Sequence, residues 1–308
     1  FLGVNPIHER GMAHPGWSPY APSSRIALAQ GHIAVETAPG FAESAEAQRL
    51  LAEAAPGIAA AREGDLARYD ARAAAAAPAL RALFEDARAA PSDRADRRAF
   101  AEWAARAGEA LRPIALFEAL SLRFGDDFRL WPAAYRDPLA PEVARFAREA
   151  AEEVEYHLWL QWIAELQVSA AQRRARASGM AFGLYLDLAV GVRPGGADVW
   201  ADPQAFARGV SLGAPPDPLA PNGQSWALAP FSPEGLRARG YEPFRRTLRA
   251  ALRHAGLIRV DHVLGLRRAF WVPEDGETPG GYVAFPFELI PALTRLEATR
   301  AGAAVMGE

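Results

Sequence analysis

A unit that occurs three times in the same order constrains this fold more than any other feature of the sequence. Each unit reads as a helix, a glycine, a short apolar strand and an acid, and the strands are predicted at residues 180–186, 257–260 and 303–307. Strands that are apolar throughout and follow helices predict a parallel sheet covered by helices. The sequence therefore predicts an α/β fold, either a (β/α)8 barrel or an open, doubly wound sheet.

The acids that follow these strands favour the barrel. They are Asp187, Asp261 and Glu308. In a (β/α)8 barrel the carboxyl ends of several strands converge over one mouth, whereas an open sheet spreads consecutive strand ends along a line. No Gly-x-Gly-x-x-Gly or Walker loop follows any of these strands, so a nucleotide-binding fold has no support.

A stretch of different character lies at residues 41–148. Ala, Arg and Glu dominate it, and apolar residues recur at helical spacing, as in Leu66 with Tyr69 and Phe100 with Trp103. This pattern predicts a helical insertion whose aromatic stripes are packing faces. The predicted division is a strand and substrate loop at 1–40, the insertion at 41–148, and barrel strands and helices at 149–308 with a long active-site loop at 190–232.

Local signals predict several helix ends. One long helix is expected over residues 141–177, with Gly179 placed to cap it. Further helices are expected over 241–254 and 287–300. Ser232 precedes Pro233, which is the pattern of an N-cap followed by proline at the first helical position.

Charged residues interrupt the predicted strand at 257–260. Arg259 and Asp261 are two residues apart, so on a strand they share a face and the guanidinium can hold the carboxylate ionised. That is a way to keep a nucleophilic carboxylate charged; a structural ion pair at a strand end is the alternative. Glu308 has no basic neighbour in sequence, so we expect a raised pKa and an acid/base role for it.

Two such acids are the smallest set of catalytic groups that a retaining glycoside reaction needs. In that chemistry the carboxyls lie roughly 5 Å apart; one attacks the anomeric carbon and the other protonates the leaving oxygen. Paired acids at strand ends also bind metals, which leaves the choice open. The six histidines are scattered and form no cluster at ligand spacing, so a metal has no separate support.

Two connecting segments carry groups that can hold a sugar. Trp17 and Tyr20 lie among Pro and Ser residues, and an aromatic ring can stack on a pyranose while hydroxyls bond its rim. An ordinary surface loop with a buried tyrosine is the alternative. Asp217, Gln224 and Trp226 lie on the long connection, which is expected to overhang the mouth because connections of such length are usually functional.

Composition limits the remaining function classes. The net charge is −3, which argues against a nucleic-acid partner. Positive charge is carried entirely by Arg, which with the abundance of Ala indicates genomic base bias and not a basic binding surface. The absence of cysteine excludes disulfides and thiolate chemistry and favours the cytoplasm. No run of about 18 apolar residues or signal-peptide pattern indicates a membrane or secretion. Because the chain begins at Phe1 and ends at Glu308, we expect an internal piece of a longer protein.

Six motifs occur in an order that points to one family. They are FLGVNP (1–6), SPYAPSSR (18–25), GLYLDLAV (183–190) with GADVW (196–200), GAPPD (213–217) with GQSW (223–226), RVDHVLG (259–265) with FWVP (270–273), and VMGE (305–308). This order resembles the amylomaltase or 4-α-glucanotransferase family, glycoside hydrolase family 77, relatives of the α-amylases. The helical stretch resembles the family only in general character.

The resemblance implies a fold, a reaction and a substrate. It implies a (β/α)8 TIM barrel with inserted subdomains, of which this chain covers about strands 2 to 5. It implies a hexosyltransferase that passes segments of malto-oligosaccharides and α-1,4-glucans to the 4-hydroxyl of an acceptor, in two displacement steps through a β-glucosyl-enzyme. It implies no cofactor and no metal, and leaves the oligomeric state open.

The resemblance also implies roles for individual residues. Asp261 matches the nucleophile and Glu308 the acid/base. The matching substrate-binding residues are Tyr20, Ser23, Asp187, Asp217, Gln224, Trp226, Arg259 and His262.

Some positions depart from the family's pattern. Ala227 stands where the family usually has Gly. The sequence stops at Glu308, where Asp-Leu-Gly normally follows, and neither a first barrel strand nor a later third carboxylate is present. On its own this piece is therefore expected to be inactive. A glucan-binding module without turnover and an α-amylase-like hydrolase are the alternatives to the transferase.

Overall fold

The computed structural model describes residues 1–11, 18–63, 65 and 68–308. Trp17 and Leu66, which carry parts of the predictions above, lie outside the described residues. The strands are β1 (Leu2–Val4), β2 (His8–Glu9), β3 (Ser24–Leu28), β4 (Leu184–Leu188), β5 (Val210–Ala214), β6 (Gln224–Leu228), β7 (Leu257–Val260), β8 (Arg268–Pro273), β9 (Gly281–Ala284) and β10 (Ala304–Gly307). The helices are α1 (Ala45–Ala60), α2 (Tyr69–Ala89), α3 (Ala95–Phe124), α4 (Pro141–Glu149), α5 (Ala151–Ala177), α6 (Ala197–Ala201), α7 (Pro233–Ala238), α8 (Glu242–Leu252) and α9 (Leu289–Ala301).

The chain forms two compact units. The first unit contains Phe1–Arg10, Ser18–Ala27 and Ala170–Glu308, and the second contains Leu28–Ser169. The first unit holds both four-stranded sheets and all the predicted site residues, so the description of the site concerns this unit alone. The division at residues 40/41 and 148/149 assigns roles to segments and stays a prediction.

A parallel sheet forms the centre of the first unit, with the strand order β1-β4-β7-β10. Every neighbouring pair is parallel. Leu186 and Ile258 are paired in register and are both buried, as expected for a sheet face covered by helices. Units of helix then strand thus produce the parallel sheet that the sequence predicts.

Two of the three predicted strands agree closely with the structure, and the third begins later. The strand at 257–260 is confirmed, and β10 starts one residue after the predicted 303. The strand expected at 180–186 starts only at Leu184, so Asp187 lies within it. The reason is Gln172, whose side chain donates to the carbonyl of Phe182 and accepts the N–H of Leu184, holding this stretch out of the ladder.

The second unit is helical around an aromatic core. Phe84, Phe117 and Trp131 are among its fully buried side chains. Trp103 of the predicted stripes is also buried, whereas Tyr69 is 48% exposed and does not fit the predicted packing face. The helix predicted over 141–177 is instead two helices, α4 and α5. Ala150 separates them with a ψ of 27°, a break that no Gly or Pro signals.

The long connection at 190–232 is regular over much of its length, which corrects the prediction of a loop. It contains α6, β5 and β6. Strand β5 pairs with both β6 and β8, and β8 pairs with β9, giving an antiparallel sheet of order β6-β5-β8-β9. The prediction failed because β8, the partner of β5, lies more than 50 residues further along the chain.

Helix ends near the site follow their local signals. The hydroxyl of Ser232 accepts the N–H of Gly235 at 3.1 Å and Pro233 opens α7, which confirms the predicted N-cap. Helix α9 ends at Gly302, whose φ of 63° lies in the left-handed region that favours glycine. That turn leads directly into β10 and Glu308. In the described part of the chain, no helix has the length and apolar character needed to span a membrane.

Candidate active site

The register of the parallel sheet brings the three acids to one end. Asp187 on β4 pairs directly with Arg259 on β7. The backbone ladder continues past the strands, since the N–H of Glu308 donates to the carbonyl of Val260 at 3.1 Å. Asp261 and Glu308 thus follow neighbouring parallel strands at the same level. Because carboxyl ends of parallel strands share an edge, their side chains meet there.

Arg259 is the shared cation of this cluster. Its Nη1 donates to Oδ2 of Asp187 at 2.5 Å. Its Nη2 lies 2.6 Å from Oε2 of Glu308 and 3.3 Å from Oδ1 of Asp261. The Asp187 side chain is only 9% exposed, whereas that of Glu308 is 59% exposed. One guanidinium therefore holds three carboxylates together, the innermost of them nearly buried.

These contacts correct two electrostatic expectations. Glu308 was expected to have no basic neighbour, but Arg259 reaches it from the adjacent strand. Asp261 was expected to be held ionised by Arg259; instead burial raises the pKa of Asp261, and its hydrogen bond with Glu308 raises that pKa further, against the opposing effect of Arg259. The distance between these residues along the sequence could not indicate these contacts, because the contacts join residues on neighbouring strands.

Tyr20 extends the cluster. Its hydroxyl donates to Oδ2 of Asp187 at 3.0 Å. Burial and this carboxylate both raise the pKa of Tyr20, so the phenol stays protonated and keeps donating. Asp187 therefore receives hydrogen bonds from both Arg259 and Tyr20, which fixes its orientation.

A second group of predicted residues meets beside Asp261. The rings of Trp226 and His262 lie edge to face with centroids 5.3 Å apart. The indole Nε1 donates to Oε1 of Gln224 at 3.0 Å. His262 directly follows Asp261 in the chain, with a φ of 50°. Gln224, Trp226 and His262 thus form a connected set that adjoins the carboxylates.

Two predicted residues are held elsewhere. Ser23 is fully buried, and its hydroxyl accepts the N–H of Ala197 at 2.9 Å. Ser23 thus holds the start of α6, and its contact with a sugar stays a prediction. Asp217 is exposed, and its Oδ1 accepts the N–H groups of Leu219 and Ala220 at 2.8 and 2.6 Å, which ties it to its own turn.

Two buried residues that are not among the predicted ones support the end of β4. Arg25 donates from Nη1 to the carbonyls of Ala189 and Val190 at 3.2 and 3.0 Å, and burial lowers its pKa to about 10. The ring Nε2 of His8 accepts the N–H of Ala189 at 3.4 Å, and burial lowers the pKa of His8 to about 3, so this histidine is neutral. Arg25 at the start of an otherwise apolar strand is the sequence signal that could have indicated such a role.

An apolar pocket of about 740 Å³, including space open to solvent, lies beside the candidate nucleophile. Asp261 and His262 contribute to its wall, as do Leu188 and Val260. Side chains alternate along a strand, so Val260 lies on the face opposite Arg259 and Asp261. Among the residues that the structure describes, no group of three or more His, Cys, Asp or Glu is arranged to hold a metal ion.

The fold and the site together define a class of α/β protein. In this class helices cover a parallel sheet, and carboxylates lie together at the ends of neighbouring strands. The family model described as 4-alpha-glucanotransferase, glycoside hydrolase family 77, matches residues 1–308, and the chain belongs to this family. The family assignment that the six motifs indicate is thereby confirmed.

Individual relatives agree with this assignment. The chain is 38% identical to a 4-alpha-glucanotransferase of Mycobacterium tuberculosis over 100% of its own length and 43% of the relative's. It is 36% identical to one of Haemophilus influenzae, over 100% of its own length and 46% of the relative's. The chain thus spans less than half the length of these curated relatives.

Solved structures confirm the predicted fold class. The crystal structure of amylomaltase from Corynebacterium glutamicum superposes with a TM-score of 0.84 at 34% identity, covering 99% of this chain and 42% of that one. Amylomaltase from Streptococcus agalactiae in complex with acarbose superposes with a TM-score of 0.81 at 17% identity, over 99% and 60% of the two chains. The fold is a partial (β/α)8 barrel with a helical insertion.

Proposed function

We propose that the protein containing this chain is a 4-α-glucanotransferase that acts on malto-oligosaccharides and α-1,4-glucans. The observation that carries the proposal is the meeting of Asp187, Asp261 and Glu308 around Arg259 at the end of the parallel sheet. The family membership supports the same reaction class. The crystallised relative that binds acarbose supports an oligosaccharide ligand.

The reaction proceeds by two displacements at the anomeric carbon. In the first, a carboxylate oxygen of Asp261 bonds to that carbon while Glu308 gives its proton to the departing 4-oxygen, which leaves as the hydroxyl of the shortened glucan. In the second, Glu308 takes the proton from the 4-hydroxyl of an acceptor, whose oxygen displaces Asp261. Configuration is retained, and the carboxylates carry both steps.

The observed contacts fit these two roles. Asp261 and Glu308 lie together around Arg259 at the ends of neighbouring strands, so one carboxyl can attack the anomeric carbon while the other transfers the proton. Arg259 and Tyr20 fix Asp187, which we assign to the hydroxyls of the sugar bound before the cleavage point.

We assign the aromatic and amide groups to the glucan around that point. Trp226 presents an indole beside His262, a surface on which a pyranose can stack, and Gln224 supplies an amide at its edge. Tyr20 contributes a phenol, and Asp217 is assigned to the outer end of the glucan. The segment at 190–232 serves as the active-site segment and 41–148 as an insertion. The proposal places the enzyme in the cytoplasm, with no membrane or nucleic-acid partner.

Incubation of the full-length protein with maltotriose tests the proposal. We expect glucose and oligosaccharides longer than maltotriose to form together, because transfer releases a short product and extends an acceptor. Formation of shorter sugars alone would identify a hydrolase, since water can attack the same intermediate. Binding of maltotriose without any product would identify a glucan-binding module.

A further inference from the structure

The strand that carries Trp226 leaves its ladder where this residue occurs. Ser225 pairs with Gly213, yet the next pair along the ladder joins Leu228 to Leu212. Trp226 and Ala227 therefore have no paired residue on β5. Such extra residues in one strand form a β-bulge. The displaced N–H of Leu228 donates to the hydroxyl of Ser211, a buried side chain, at 3.1 Å.

Ala227 has an uncommon backbone conformation within this bulge. Its φ is 55°, in the left-handed region that is disfavoured for an L-residue with a Cβ. Its side chain is exposed, so packing of that methyl group does not explain the conformation. The bulge itself requires it, because β6 must rejoin its ladder at Leu228.

The conformation of Ala227 fixes where the indole lies. Trp226 packs against the cluster of Leu212, Leu228 and Ala269 and presents its ring to His262. A shift of the strand register by one residue moves a side chain to the other face of the sheet. Without the left-handed residue, the strand would carry Trp226 away from His262.

We propose that Ala227 is a positioning residue, which by its left-handed backbone holds Trp226 edge-on to His262 and so braces the segment that follows Asp261. The consequence for catalysis rests on the proposed glucanotransferase activity, whereas the placement of the indole does not. The ring contact between Trp226 and His262 thereby links the antiparallel sheet to the end of β7.

Substitutions at exposed positions of β6 test this inference in the full-length protein labelled with 5-fluorotryptophan. The ¹⁹F resonance of Trp226 is assigned by its loss in Trp226→Phe. In Ala227→Val, a β-branched residue that disfavours positive φ, we expect this resonance to shift or broaden and kcat/KM to fall about tenfold, mainly through kcat. Ala227→Asn keeps a side chain but tolerates this conformation, so it should keep the wild-type resonance.

Ser225→Val is the matched control, because Ser225 is also exposed on β6 but has no positive φ. It should leave the Trp226 resonance unchanged. An unchanged resonance in Ala227→Val, or an equal shift in Ala227→Asn or Ser225→Val, would overturn the inference. If Ala227→Val does not fold, the resonance of Ala227→Asn decides alone. Because the spectrum needs no turnover, a failure of the proposed activity would leave this result readable.

Discussion

The two four-stranded sheets of the first unit place their functional side chains in different ways. In the parallel sheet, Asp187, Arg259 and Glu308 are placed by an undisturbed register between neighbouring strands. In the antiparallel sheet, Trp226 is placed by a break in register beside Ala227. The charged half of the site therefore depends on interactions between ionic groups, and the aromatic half on the conformation of one residue.

This difference predicts different responses to substitution. Removing Arg259 from the parallel sheet leaves the nearly buried Asp187 without its charged partner, so large effects are expected there. Altering the bulge changes a local conformational preference, and small effects are expected. The predictions below test the contrast in order of decreasing effect.

Asp261→Asn should have the largest effect. Loss of the nucleophilic carboxylate should lower kcat of the full-length protein by about 10⁴-fold while maltotriose binding stays measurable. Single-turnover assays and calorimetric titration measure the two quantities. Asp275→Asn is the control, since Asp275 lies in an exposed turn after β8 and accepts from Glu277 and Thr278. Retained turnover in Asp261→Asn would remove this residue from the nucleophile role.

Arg259→Met should have the next largest effect. It leaves Asp187, Asp261 and Glu308 without their shared cation, so we expect a loss of about 3 kcal/mol in the free energy of unfolding. Arg268→Met on the antiparallel sheet is the matched control. Arg268 is exposed and lies 4.4 Å over the ring of Tyr282, a contact worth about 0.5–1 kcal/mol. Urea denaturation measures both; equal losses would contradict the contrast between the sheets.

Ala227→Gly should stabilise the protein. Glycine reaches positive φ without the Cβ penalty, so we expect a gain of about 1 kcal/mol in the free energy of unfolding. Ser225→Gly, at an extended position of the same strand, should instead lose about 0.5–1 kcal/mol. A thermal melt of the two variants compares them directly, and the same sign of change in both would show that the bulge is not strained.

The smallest effect should appear in the pH dependence of stability. Because the pKa of Asp261 is raised in the folded protein, the native state binds more protons than the unfolded state between the two pKa values. The protonated Asp261 therefore stabilises the native state at low pH, and this stabilisation is lost as the pH rises through the pKa of Asp261 in the folded protein. The Tm of Asp261→Asn relative to wild type should then increase from pH 4 to pH 7. A constant difference across this range would argue against the raised pKa.

The sequence predicts the charged half of the site better than the aromatic half. Apolar strands that follow helices and end in acids indicate a parallel sheet. Its register places the ends of neighbouring strands side by side, so the meeting of Asp187, Asp261 and Glu308 could be predicted. Which partner each acid takes could not, because Arg259 contacts residues on both neighbouring strands.

The aromatic half depends on pairing over long sequence distance. Strand β5 reads as part of a loop until β8 is known to pair with it, and only that sheet explains the bulge at Trp226 and Ala227. The residues of the bulge were recognised by their motif alone. The burial of Ser23 likewise arises from Ala197, a residue 174 positions away.

The single guanidinium among three carboxylates has a consequence for what the site will admit. Asp187, Asp261 and Glu308 outnumber Arg259, so this group of four described residues contributes a negative potential at the mouth of the sheet. Such a potential disfavours phosphorylated or uronic sugars and attracts neutral glycans whose reacting carbon becomes positive, as well as amine-bearing mimics of that state. For these four described residues, the excess of acids over arginine thus favours neutral over anionic carbohydrates at this strand end.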